Sequence, residues 1–179
     1  RQRQMCIRDS LEPFWDHYWK NGENDKLGWR LEYNMKHRGD VYATHGLGPV
    51  AQALDIHRGD RMKTLVAMDT KSVVGKSLVE ERTGQPCENF RNGDHTTTLI
   101  RTENGKVIEI QHDVMTPQPY NRLYQLTGTK GFANKYPIEG YALDAKQLNA
   151  SGVVPEVDNL NSHSFMPKKD MEALVQKYQ

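Results

Sequence analysis

Along Pro49–His57 the chain reads "PVAQALDIH", which sets Val50, Ala53, Leu54 and His57 at helical spacing. Proline suits the first helical turn and Gly59 is a natural stop. Upstream, "LEPFWDHYWK" over Leu11–Lys20 is aromatic-rich and fits a short helix or a packed loop. The polar "NGENDKLG" is of surface-loop type, and "WRLEYNMKHRGD" alternates loosely before the turn signal Arg38-Gly39-Asp40. Downstream the pattern is that of strands. "MKTLVAMDTKSVV" is β-rich, and "DHTTTLIRT" and "KVIEIQHDV" flank "ENGK", whose Asn104-Gly105 pair signals a hairpin. "YNRLYQLTGTKGFANKYP" predicts a strand, a glycine-marked turn and a second short strand. From Asn149 the chain is polar until "PKKDMEALVQKYQ" begins a helical pattern. The fold class this predicts is α+β: a helix followed by a largely antiparallel sheet.

Composition adds bounds rather than chemistry. The chain has 179 residues, 36% hydrophobic and 26% charged, a balance suited to one globular unit with a modest core. The net charge of +1 gives no global field that favours nucleic acid or a membrane surface. No apolar run approaches the ~20 residues of a bilayer span. Cys6 and Cys87 alone support neither a disulfide framework nor a metal site, and the His and carboxylate residues lack ligand spacing. The opening "RQRQMCIRDS", Arg1–Ser10, has no apolar period and no signal-peptide core. It resembles a translated sequencing adaptor, so residues 1–10 are read as a non-native tail outside the fold, and residues 11–179 as a partial α+β domain.

The candidate chemistry begins in "VYATHGLGPVAQALDIHRGDRMKTLVAMDT", Val41–Thr70. Gly46, Gly48 and Ala51 fit the dinucleotide pattern G-x-G-x-x-A, and Asp69 ends the following apolar run. Against that reading, Tyr42, Ala43, Thr44 and His45 are too polar for a buried lead-in strand. Pro49 also falls where backbone N–H groups should face phosphate, and later hairpins stand where a doubly wound sheet needs helices. The alternative is a reactive cluster at a strand-to-helix junction. Tyr42 and Thr44 alternate along an extended segment, with His45 beside a glycine turn that lets a bulky ligand approach. A hydrogen-bonded structural histidine fits the same spacing equally well.

At these residues the sequence resembles the second domain of the glycoside hydrolase family 109 proteins, a branch of the Gfo/Idh/MocA oxidoreductases. The matching elements are Trp29-Arg30, Tyr42-x-Thr44-His45-Gly46-x-Gly48-Pro49 and Asp55-Ile56-x-Arg58-Gly59. His112-Asp113 and Pro119-Tyr120-Asn121 match as well, so the likeness runs from about Leu11 to Tyr141.

The resemblance implies an open sheet with flanking helices, preceded in the whole protein by a Rossmann domain that holds NAD and is absent from this chain. It implies an α-N-acetylgalactosaminidase working by NAD-dependent oxidation, elimination, water addition and reduction, an exception to the two-carboxylate scheme. His45 then matches the active-site histidine, with Tyr42 as its catalytic alternate, and Thr44 lies on the substrate-facing segment. Arg30 and Tyr120 match substrate-contacting residues; read by themselves they are a surface arginine and a core tyrosine. The implied partner is a glycan ending in N-acetylgalactosamine or a related sugar, with self-association through the sheet and no nucleic acid. The implied source is bacterial, with the compartment open between cytoplasm and periplasm. A plain NAD(P)-dependent sugar dehydrogenase and an inactive isolated β-domain are the competing readings.

Overall fold

The computed structural model describes residues 2–8, 29–113, 116–117, 121–135, 138–143, 166–167 and 176. Its strands are β1 (Gln2–Arg8), β2 (Met62–Asp69), β3 (His95–Thr102), β4 (Val107–Asp113), β5 (Asn121–Thr127), β6 (Gly131–Asn134), β7 (Gly140–Leu143) and β8 (Met166–Pro167). They lie in the order β2-β3-β4-β1-β5-β6-β7-β8. Every pairing is antiparallel except that of β1 with β4, so the sheet is open and mostly antiparallel. Helices α1 (Trp29–Lys36), α2 (Thr44–Ala53) and α3 (Val74–Thr83) accompany it. This is the α+β class that the sequence predicts.

The core sits under α2. Val50, Leu54 and Ile56 pack against Ile100, Ile108 and Ile110 of β3 and β4. Alternation along β3 buries Thr96, Thr98, Ile100 and Thr102 on that inner face. Two contacts fix how α2 crosses the sheet. Lys106 donates from Nζ to the Leu54 carbonyl (2.7 Å), holding the C-terminal end of the helix at the β3–β4 turn. At the other end, the Tyr124 hydroxyl on β5 donates to the His45 carbonyl. The segment Asp55–Asp60 is a tight loop with positive φ at Asp55, His57 and Gly59. Asp60 accepts from Asn104 N–H (3.1 Å), and Gly59 accepts from Asn104 Nδ2 (2.9 Å). This stretch is therefore a structural brace.

Several local expectations change. The Trp29–Lys36 stretch is helical, because burial of Leu31 and Asn34 follows a period of three and outweighs the alternation. Helix α2 starts at Thr44 and ends at Ala53, earlier at both ends than the Pro49–His57 pattern, so Pro49 lies inside it and His57 in the following loop. The β-rich "MKTLVAMDTKSVV" splits after Asp69, and α3 begins at Val74. The cap of α3 is remote: Asp94 accepts from the N–H groups of Val73, Val74 and Gly75 at 2.8, 2.9 and 3.0 Å. The Asn104-Gly105 hairpin forms, but only Gly105 takes a positive φ, giving a longer loop than a two-residue turn. Tail residues Gln2–Arg8 do not lie outside the fold; they pair with β4 and β5. Ladder bonds are made by backbone groups and do not ask for the apolar period the tail lacks. The C-terminal helical pattern lies outside the described residues except for Gln176.

Candidate functional site

Tyr42, Thr44 and His45 gather at the N-terminal end of α2. Residues 41–43 form a turn rather than an extended segment, and Thr44 and His45 are the first two residues of the helix. Asp40 closes the turn by accepting from the Tyr42 N–H (3.0 Å). In this helical setting residues three apart face one another, so Tyr42 meets His45 where an extended chain would have aligned it with Thr44. The two rings stack, with centroids 4.8 Å apart and an interplanar angle of 18°. His45 and Thr44 are exposed, Tyr42 is half-buried and Gly46 is buried.

The dinucleotide-loop reading does not fit. The Gly46 and Leu47 N–H groups both donate to the Ala43 carbonyl, at 3.0 and 2.7 Å, closing the first helical turn rather than facing a phosphate. A turn, not a strand, leads into the motif. The residues of this chain therefore supply no pyrophosphate cradle at Gly46-x-Gly48.

Two groups that sequence reasoning missed hold this turn in place. Arg38 grips Asp69, the last residue of β2, with both arms of its guanidinium (3.0 and 2.6 Å). The Arg38 hydrogen bond holds the Asp69 carboxyl below its ordinary range despite partial burial, and Asp69 in turn raises the guanidinium pKa. One turn back, the buried amides of Asn34 and Asn92 pair at 2.7 Å. The Asn92 N–H donates to the Asn34 carbonyl as well (3.0 Å), so α1 is fixed to the loop that enters β3. Tyr124 carried no local signal: the sequence pattern sets Pro49 at a helix start, and only its place inside α2 leaves a carbonyl one turn earlier without its usual donor.

Arg30 occupies the second position of α1. Tyr120 lies outside the described residues. Beyond Pro49 a cavity of about 190 Å³ opens between α2 and strands β5–β7, lined among others by Val50, Ala53, Tyr124, Glu139 and Tyr141.

The fold is that of the C-terminal α+β domain of the Gfo/Idh/MocA oxidoreductases. A levoglucosan dehydrogenase in complex with NADH and L-sorbose superposes with a TM-score of 0.52 and 17% identity, over 93% of this chain and 39% of its own. A UDP-N-acetylglucosamine 3-dehydrogenase from Acidithiobacillus ferrooxidans gives 0.51 and 10%, over 100% of this chain and 47% of its own. Residues 12–159 match the family described as "Glycosyl hydrolase 109, C-terminal domain", and the chain belongs to that family.

It is 83% identical over 170 residues to glycosyl hydrolase family 109 protein 5 of Phocaeicola vulgatus, covering 95% of this chain and 33% of that protein. A Bacteroides thetaiotaomicron relative, family 109 protein 1, is 55% identical over 169 residues, covering 94% and 34%. The chain thus spans about a third of the length of these relatives.

Proposed function

We propose that this chain is the substrate-facing part of a glycosidase that releases terminal α-N-acetylgalactosamine by the NAD-dependent oxidation–elimination route. The observation that carries the proposal is the stack of the half-buried Tyr42 on the exposed His45 at the start of α2, inside a glycosyl hydrolase 109 domain. NAD supplies hydride chemistry at sugar C3 when bound elsewhere in the whole protein. His45 accepts a proton, from the C3 hydroxyl or from C2 of the sugar, as a neutral imidazole can near physiological pH. Tyr42 orients that ring by stacking and stands as the alternate proton acceptor. Arg30 and Tyr120 contact the sugar, the guanidinium as a planar two-donor fork. The chain alone is inactive, since it offers no pyrophosphate cradle at its glycine motif. Residues 1–10 are adaptor-derived, a reading supported by the family match starting at residue 12. The whole protein self-associates through the sheet, as an exposed apolar patch on β2 and β3 favours.

The test uses the full-length protein and a 4-nitrophenyl α-N-acetylgalactosaminide with no added cofactor. Release of nitrophenol without net NADH supports the glycosidase. Steady NADH accumulation on free sugar, with no nitrophenol, would assign it to the sugar dehydrogenases, several of which share its fold.

A further inference from the structure

We propose that Tyr124 is a positioning residue for His45, acting through a backbone carbonyl that Pro49 leaves without its helical donor. The inference rests on the reading of His45 as the proton acceptor. In α2 the bond to the His45 carbonyl should come from residue 49, where proline has no N–H. The Tyr124 hydroxyl donates to that carbonyl instead. Tyr124 is itself fixed on β5, where its carbonyl accepts from the Lys135 N–H at 2.9 Å. Lys135 Nζ also lies 5.8 Å from the Tyr124 ring centroid.

The phenol is therefore a strut from the sheet to the first turn of the helix. An interior proline loosens this turn, because it both removes a bond and crowds the carbonyl four residues back. The strut sets the height and rotation of the residue that carries the imidazole, and so its alignment on Tyr42. On the far side of the turn, the Arg38–Asp69 fork fixes the incoming chain. His45 is held from two directions, and only the Tyr124 side reaches its own peptide group.

The experiment uses the full-length, cofactor-loaded enzyme. Tyr124→Phe, which deletes one hydroxyl, should lower kcat about tenfold, short of the ~10²-fold that a 1 Å misplacement costs, with KM within about twofold. The His45 imidazole signals in an NMR titration should move in the same variant. Adding Pro49→Ala should restore both, because alanine supplies the missing N–H to the same carbonyl. In a His45→Ala background Tyr124→Phe should cost nothing further. Unmoved imidazole signals in Tyr124→Phe would overturn the proposal, as would a loss of kcat that Pro49→Ala does not repair. Full turnover in His45→Ala would instead sink the reading of His45, and the imidazole signals alone would then decide whether the strut positions the ring.

Discussion

A histidine whose ring lies flat on a tyrosine has one face covered and its two nitrogens left at the edge. That is the exposure a proton acceptor needs, and the Tyr42–His45 stack provides it. His45→Ala in the full-length enzyme should lower kcat by about 10²–10⁴, the range for losing a general base. Its melting temperature should stay close to wild type, because the side chain is exposed; a structural histidine would show the reverse pair of results. Arg30→Lys should raise KM with little change in kcat, costing about 1.5–3 kcal/mol of binding, since an ammonium cannot reproduce a planar fork. Unchanged kinetics would remove Arg30 from the site. Tyr42 and His45 were legible because their motif is contiguous. Tyr124 was not, since it meets the His45 peptide from 79 positions away.

Among elements, α3 and the Asp55–Asp60 loop depend on partners far along the chain. Asp94 replaces a local cap for α3, so Asp94→Ala should strand three N–H groups and cost roughly 1–3 kcal/mol. A drop in melting temperature of less than about 1 °C would show that water caps the helix as well. Asp60 contributes to the acid limb. Burial pushes its carboxyl up, but bonds from the Asn104 and Arg61 N–H groups, the Thr102 hydroxyl and Lys106 outweigh it and hold the pKa at about 2, against an ordinary 3.8. The folded value is the lower one, so the stabilisation is complete above the ordinary value and is lost as pH falls through 2. Urea midpoints measured from pH 5 to 2 should therefore fall more steeply for wild type than for Asp60→Asn, with the variant already weaker at pH 5. Equal slopes would assign the acid limb to other carboxylates.

For the whole molecule, the proposed self-association falls on the face of the sheet opposite α2. Val66 pairs with Leu99 and Met68 with Thr97, so these side chains share that outer face. Val66, Met68 and Leu99 are 58%, 75% and 41% exposed, an apolar patch that favours association. Light scattering on the full-length protein should show an oligomer that Met68→Lys weakens without lowering the melting temperature; an unchanged mass would place the contact elsewhere. The 179-residue chain should show no NAD binding by calorimetry, since its glycine motif spends its N–H groups inside a helix. Micromolar binding would restore that motif as a nucleotide site.

The strands from Met62 to Asn134 and the α+β class were written in local pattern, because alternation and turn residues act over a few positions. The family, too, was readable from contiguous motifs. Tertiary structure decided what those motifs do. Asp55-Ile56-x-Arg58-Gly59 became a brace because Asn104 holds Gly59 and Asp60, and Lys106 holds Leu54, across the hairpin. Helix α3 formed on a carboxylate about twenty residues downstream, beyond the reach of any propensity. The Gly46-x-Gly48 stretch became a helical turn because Ala43 accepts the Gly46 and Leu47 N–H groups and the sheet holds the His45 carbonyl through Tyr124. In each case a hydrogen bond between distant residues selected one of several conformations that the local sequence permits nearly equally, and only the folded chain brings those partners together.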